Sequence, residues 1–320
     1  MTILITGAAG FIGSHTADAL LQEGHTIIAV DNFCDYYPIR FKRENVSHNE
    51  NNTNYFLYNI DITDLDALNK IFYSHSIDTI VHLAAQAGVR ISIEKPLHAQ
   101  KVNIEGTMNV FECARMHGIS EIIYASSSSV YGNHEKIPFS ENDPLEKPIS
   151  PYAATKKANE LLAYTYHHLY GMNMVGLRFF TVYGERGRPD MSPYIFANAI
   201  INQTPLRRFG DGSSRRDFTY IGDIVSGITA CIGKKLGYEV INLGNSDSIS
   251  LQEYIETFER VIGKKATINE EPMQPGDVKC TYADISKAKR LLDWQPTTSL
   301  EEGLRKFIPW FIENRANNPY

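Results

Sequence analysis

The chain has 320 residues, of which 43% are hydrophobic and 21% charged, with a formal net charge of -6. That length suits one large domain with a smaller companion, and the balanced composition excludes a disordered or fibrous chain. The acidic balance offers no basic face for nucleic acid and disfavours anionic membranes, while leaving room for a local basic pocket. Met1 to Thr6 runs straight into an apolar strand pattern with no charged leader ahead of it, which predicts a cytoplasmic protein with no membrane partner. Cys34, Cys113, Cys231 and Cys280 stand far apart, as suits reduced thiols rather than disulfides or a metal cluster. His82, inside IVHLAA, reads as a hydrogen-bonded strand residue, and no histidine spacing matches a metal site.

In chain order, TILIT, TIIAV, YFLYNI, DTIVHLAA, EIIYASS and MVGLRFF read as strands because they are apolar and rich in β-branched side chains. Between them, FIGSHTADALLQEG, closed by Gly24, and LDALNKIF, preceded by Thr63 and Asp64 as caps, carry helical spacing. Strands alternating with helices imply right-handed crossovers and a doubly wound parallel sheet, an α/β Rossmann architecture. After about residue 184, ERGRPDMSP and FGDGSSRRD read as loops, and YIGDIVSGITACIGKK and EVINLGN as a return to the sheet. SLQEYIETFERVIGKK and LEEGLRKFIPWFIENR then read as helices. The expected division is residues 1–183 plus about 218–247 as the Rossmann domain, with about 184–217 plus 248–320 as a smaller, discontinuous C-terminal substrate domain. Its natural place is over the carboxyl ends of the strands, where open α/β sheets form their ligand crevice.

The first strand is followed at once by GAAGFIG, in which Gly7, Gly10 and Gly13 have the spacing G-x-x-G-x-x-G before a helix. A tight turn, a pyrophosphate against the backbone and close helix–strand packing all require residues without side chains there. The helix N-terminus adds oriented N–H groups and partial positive charge for the phosphates. The second strand ends at Asp31, where an acidic residue accepts hydrogen bonds from an adenosine ribose and repels a 2′-phosphate, so NAD is favoured over NADP. The alternative for Asp31 is a loop residue capping the turn that follows it, and Asp61, at the end of the third strand, has the same alternative.

Tyr152 and Lys156, at i and i+4 in YAATKKANELLAYTYHHLYG, share one helix face. A phenol with a pKa near ~10 is a poor base at neutral pH, and a nearby ammonium stabilises its phenolate. Tyr152 can then remove a hydroxyl proton while hydride leaves the same carbon. The Y-x-x-x-K spacing alone is also that of an ordinary surface pair. What distinguishes it here is company: Ser126 to Ser129 end a strand before VYG, and the glycine loop lies upstream.

Taken together, GAAGFIG, Asp31, HLAAQAGVR, Asn103, SSSSVYG, YAATK, RFFTVYG, RRDFTYIGD and QPGDV, in that order along nearly the whole chain, resemble the extended short-chain dehydrogenase/reductases, in their sugar-nucleotide epimerase and dehydratase branch. The resemblance implies that Ser127 bonds the reacting sugar oxygen, that Tyr152 is base and acid, and that Lys156 also bonds the nicotinamide ribose. It implies NAD contacts from Gly7, Gly10, Phe11, Ile12, Gly13, Asp31, Asn32, Asp61, Ile62, Leu83, Ala84, Ala85 and Asn103. Asn103 also fits a residue that merely satisfies nearby backbone.

Within this branch, dehydratases place Asp and Glu in the two positions before V-Y-G, and UDP-glucuronate decarboxylases place Glu immediately before it. This chain has Ser128 and Ser129, and a hydroxyl is far too weak an acid or base to replace a carboxyl. Elimination and carboxyl-coupled chemistry are therefore disfavoured, leaving oxidation and re-reduction at one carbon. AAQAGVR and RFFTVYGERGRPDMS resemble segments of the UDP-glucuronate 4-epimerases, whereas UDP-glucose 4-epimerases usually carry Asn in place of Thr181. Arg188 offers a planar fork for a sugar carboxylate, or an anchor for its own loop or a phosphate, and Thr181 can add a hydroxyl bond. For the nucleotide half, the resemblance implies contacts from Phe209, Arg216 and Asp277, with Arg215 as an alternative to Arg216 and domain packing as an alternative for Phe209. It also implies a homodimer built on residues 97–116 and the Tyr152 helix. The activity the resemblance implies is that of the UDP-glucuronate 4-epimerases, NAD-dependent isomerases that interconvert UDP-glucuronate and UDP-galacturonate. A UDP-glucose or UDP-N-acetylglucosamine 4-epimerase, a true dehydrogenase and a non-catalytic NAD-sensing protein are the alternatives.

Overall fold

The computed structural model describes residues 1–272 and 278–316. Its strands are β1 (Thr2–Thr6), β2 (Thr26–Asp31), β3 (Tyr55–Asn59), β4 (Thr79–His82), β5 (Glu121–Ser127), β6 (Asn173–Phe179), β7 (Thr181–Tyr183), β8 (Leu206–Phe209), β9 (Arg215–Tyr220), β10 (Tyr238–Leu243), β11 (Ser248–Ser250) and β12 (Ile268–Glu271). Seven of them form one sheet in the order β3-β2-β1-β4-β5-β6-β10, and every neighbouring pair is parallel. Both faces are covered, which is why the strands read as unbroken apolar runs rather than alternating ones. Ile3, Ile5, Ile27 and Ala29 point into one buried cluster, and Leu4, Ile28, Val30, Ile80 and Ile122 into the other. The strand order reverses between β1 and β4, and that switch point opens the crevice at the carboxyl ends. The expected doubly wound sheet is therefore the observed one.

Three stretches differ from the sequence expectation. DTIVHLAA is a strand only as far as His82, because the chain leaves the sheet at Leu83 to wall the crevice. In FGDGSSRRD only the centre is a loop: Phe209 ends β8, and Arg215 begins β9, which pairs with β7 and β11. YIGDIVSGITACIGKK does not return to the sheet. It forms the helix Ile221–Thr229, since Ile221, Ile224, Val225 and Ile228 recur at helical spacing and are all buried. EVINL does return, as β10 on the sheet edge.

The helix Pro151–Tyr170, which carries Tyr152 and Lys156, starts at Ser150, whose hydroxyl accepts from the Ala153 N–H, with proline in its first turn. Its left-handed C-cap is Gly171. One polar cluster locks it to the sheet. Arg178 of β6 donates from Nε to Glu160 Oε1 at 2.8 Å and from Nη2 to Oε2 at 2.9 Å, and Ser126 of β5 donates to Oε1 at 2.7 Å. Arg178 Nη1 reaches the Tyr131 hydroxyl at 2.9 Å, which in turn donates to Asn242 of β10 at 2.7 Å. Burial works against ionisation of Glu160, but the Arg178 fork outweighs it and holds the carboxyl below its ordinary range.

Removing one partner would strand the other charge in the interior, which costs about 3–5 kcal/mol. We therefore expect Arg178→Met to lower the thermal unfolding midpoint by about 5–10 °C, at the roughly 2 °C per kcal/mol of a chain this size. Adding Glu160→Gln to it should recover part of the loss. A single variant that melts with the parent protein would show that the pair carries no such burden.

Candidate active site

A cavity of about 440 Å³ lies at the switch point, and its wall unites residues from the glycine loop, the ends of the parallel strands, the Tyr152 helix and the loop that follows β7. At one end Gly7 has φ +72°, and a Cβ there would sit 2.8 Å from the Ala84 nitrogen. On Gly13 it would sit 2.1 Å from the Gly7 carbonyl oxygen, so the loop closes only with glycine at both positions. The helix Phe11–Gln22 begins there with Gly10 as N-cap and no side-chain cap, leaving its first N–H groups for an anion. The residues present therefore fit a dinucleotide pyrophosphate.

Asp31 holds its carboxylate in place by accepting from Ala9 N at 3.1 Å and Phe33 N at 2.8 Å. Asp61 accepts from the Thr63 N–H and hydroxyl, each at 2.8 Å, and from Asn32 Nδ2 at 2.8 Å. Partial burial favours its neutral form, but these bonds prevail and hold it below its ordinary range. Asp61 thus both closes its own turn and orients Asn32. Phe11, Ile12, Ile62, Leu83, Ala84 and Ala85 complete this half of the wall.

At the other end Tyr152 and Lys156 face the cavity together, as their spacing predicts. Lys156 donates to the Ala125 carbonyl at 2.8 Å, its nitrogen 5.9 Å from the centre of the Tyr152 ring, and burial pushes its pKa down to about 8. Burial raises the Tyr152 phenol, and the groups that pull it back are the Ser127 hydroxyl, by hydrogen bonding, and the Arg188 charge. Ser127 is itself fixed, accepting from the Ser129 N–H and donating to the Ser129 hydroxyl, both at 3.1 Å.

Ser128, Ser129, Thr181 and Arg188 also line the cavity. The Arg188 fork, expected to be open to a ligand, is engaged by Asp190: Nε donates to Oδ1 at 2.9 Å and Nη2 to Oδ2 at 2.7 Å. Tyr36 donates to the same carboxylate at 2.9 Å, and its ring lies 5.2 Å from the guanidinium carbon. Asp190 takes the bidentate edge because it is two residues away in the same turn, which leaves Nη1 for a ligand.

Three expected residues among those described stand apart from that wall. Asn103 is buried behind it, its amide joining Gln86 N at 2.7 Å, Gln86 O at 3.2 Å and Thr155 Oγ1 at 3.0 Å. Phe209 ends β8, with the guanidinium carbons of Arg90 and Arg207 at 5.9 and 5.1 Å from its ring centre. Arg216 donates to the Arg215 carbonyl at 2.9 Å. Asp277 lies outside the described residues. His82 is the strand residue expected, between the hydroxyls of Thr6 at 2.7 Å and Thr107 at 3.0 Å. Sequence reasoning missed Tyr36, Lys42 and Asp190. Only Asp190 left a trace, as the acid of R-P-D beside Arg188.

A glycine cradle, an acid at the end of β2 and a Ser-Tyr-Lys group in one crevice define an enzyme of the extended short-chain dehydrogenase/reductase class. The chain belongs to the family described as GDP-mannose 4,6 dehydratase, whose model matches residues 4–307. It is 47% identical to the UDP-glucuronate 4-epimerase of Thermodesulfobacterium geofontis over 97% of this chain and 96% of that one. The crystal structure of UDP-glucuronic acid 4-epimerase from Bacillus cereus, in complex with UDP-glucuronic acid and NAD, superposes with a TM-score of 0.92 at 38% identity, covering 98% of this chain and 99% of that one. UDP-glucose 4-epimerase from Thermotoga maritima superposes at 0.91 with 32% identity, covering 98% and 99%.

Tyr152→Phe keeps the ring and removes the phenolic oxygen, the group expected to transfer the proton. Sugar-nucleotide turnover should fall about 100- to 10,000-fold, with dinucleotide binding retained. A folded variant with near-full turnover would take the proton transfer away from Tyr152.

Proposed function

We propose that this protein is an NAD-dependent UDP-glucuronate 4-epimerase that interconverts UDP-glucuronate and UDP-galacturonate. The observation that carries the proposal is the convergence of Ser127, Tyr152, Lys156 and Arg188 on the cavity that also holds the glycine cradle. The full-length likeness to UDP-glucuronate 4-epimerases supports it.

NAD, when bound, supplies reversible acceptance of hydride from carbon 4 of the sugar. Tyr152 takes the proton of the 4-hydroxyl as that carbon is oxidised, while the Ser127 hydroxyl holds the same oxygen. The resulting 4-keto sugar turns over, and Tyr152 returns the proton once the opposite face is reduced, so no net redox occurs. Ser128 and Ser129 orient the sugar and offer no carboxyl to drive loss of water. Arg188 Nη1, aimed by Asp190 and Tyr36, bonds the uronate carboxylate, and Thr181 adds a hydroxyl. A 4-keto uronate has its carboxylate β to the ketone, and fixing that group hinders loss of carbon dioxide.

We assign the cofactor to residues 1–183 plus about 218–247, and the nucleotide sugar to about 184–217 plus 248–320, with Phe209, Arg216 and Asp277 toward the nucleotide and Asn103 supporting the cofactor wall. We further propose a cytoplasmic location; no helix among the described residues is long and apolar enough to cross a membrane. Leu97, Met108 and Met116 on one segment, and Leu161, Tyr164 and Leu169 on the Tyr152 helix, are exposed and apolar, as a homodimer through residues 97–116 and that helix requires. Light scattering should give the mass of two chains, and a single-chain mass would remove the dimer.

Incubated with UDP-glucuronate and no added oxidant, the protein should yield UDP-galacturonate in the nuclear magnetic resonance spectrum without accumulating NADH. Arg188→Lys keeps the charge but loses the planar donors. Efficiency on UDP-glucuronate should fall about 10- to 150-fold more than on UDP-glucose, as expected for one charge-assisted bond, with more decarboxylated product. Equal losses on both sugars would place Arg188 on the shared diphosphate or on its loop.

A further inference from the structure

The helix Ile39–Ser47 carries three cations, and they are not alike. Arg40 and Arg43 are exposed, whereas Lys42 is buried and turned into the cofactor end of the cavity. Its ammonium lies 3.6 Å from Asp31 Oδ1, 3.1 Å from the Cys34 sulfur and 5.3 Å from the centre of the Tyr37 ring. Asn45, one turn further along, donates to the Ala9 carbonyl at 3.0 Å and so pins this helix to the glycine loop.

An ammonium has three protons to donate, and a thiol sulfur is a weak acceptor. The Asp31 oxygen is too distant for a short hydrogen bond, and that carboxylate already accepts from Ala9 N and Phe33 N. Lys42 is thus a buried cation whose donors are under-used by the protein, an arrangement that is costly unless a ligand supplies oxygen. The oxygens available at this end of a bound dinucleotide are those of the adenosine ribose.

We propose that Lys42 is a specificity-determining residue for the dinucleotide, forming with Asp31 a neutral acid–ammonium pair around the adenosine ribose. Asp31 accepts from the ribose hydroxyls and Lys42 donates to the same oxygens. A lone carboxylate would repel a 2′-phosphate. The pair instead presents no net charge, and its ammonium offers donors to the phosphate oxygens, so discrimination against NADP is set by the balance of the two residues. The inference rests on the reading of this cavity as an NAD site.

The test uses the full chain freed of bound nucleotide and titrated separately with NADH and NADPH, following nicotinamide fluorescence. Lys42→Met should weaken NADH about tenfold, and NADPH by at least a further tenfold, because the bare Asp31 carboxylate then faces the phosphate. Asp31→Asn should shift preference toward NADPH by about tenfold or more, since Lys42 remains to hold the phosphate. Equal losses for both dinucleotides in Lys42→Met, or none, would overturn the proposal. If that variant does not fold, the near-isosteric Asp31→Asn decides alone, and no shift toward NADPH overturns it. A parent protein that binds neither dinucleotide would overturn the NAD reading as well, a result distinct from a parent that binds NADH with an indifferent Lys42.

Discussion

Glu160 has no exposure to water, and its charge is tolerable only because Arg178, Ser126 and Lys157 surround it with donors. Those donors come from β6, β5 and the helix itself, so the helix bearing Tyr152 has one rotation and one height on the sheet that satisfy them all. An apolar contact of the same area would permit sliding, whereas a two-point fork between guanidinium and carboxylate does not. We read this buried pair as a registry device more than a source of stability. Lys156 lies one turn before Glu160, and Tyr152 one turn before that. The clamp therefore sets where the phenol meets Ser127 and where the ammonium meets the Ala125 carbonyl.

The same economy governs the rest of the crevice. Chemical groups reach it from elements far apart in sequence, and each is held by a neighbouring side chain: Asn32 by Asp61, Arg188 by Asp190 and Tyr36, Ser127 by Ser129. Rotamers fixed before ligand arrives reduce the ordering cost of binding and of reaction. An enzyme that removes and returns hydride at one carbon needs this, because the intermediate must turn within the cavity while the groups that act on it stay still.

Much of this was legible in the sequence, for identifiable reasons. Strands β1, β2, β4, β5 and β6 are buried on both faces and leave unbroken apolar runs, while the edge strand β3 keeps Phe56 and Asn59 exposed. The glycine loop and the Tyr152–Lys156 pair are set by local geometry, which spacing encodes directly. The region from 206 to 229 was harder. There β9 is a short strand of mixed Arg, Asp and aromatic residues, and a helix follows with no turn residue to announce it. Partnerships were least legible. Nothing in IRFKRENVS says which cation turns inward, since that depends on where Asp31 and Tyr37 lie across the loop. Asn103 carried a polar identity shared by cofactor ligands and backbone anchors alike, and the structure gives it the second kind of contact.

The central claim is that one carbon is oxidised and re-reduced within a single bound sugar. UDP-glucuronate carrying deuterium at carbon 4 tests it most directly, with the product resolved by mass spectrometry and nuclear magnetic resonance. The account predicts UDP-galacturonate that retains the deuterium at carbon 4, because the hydride never leaves the site. Interconversion with loss of that label to water would contradict it.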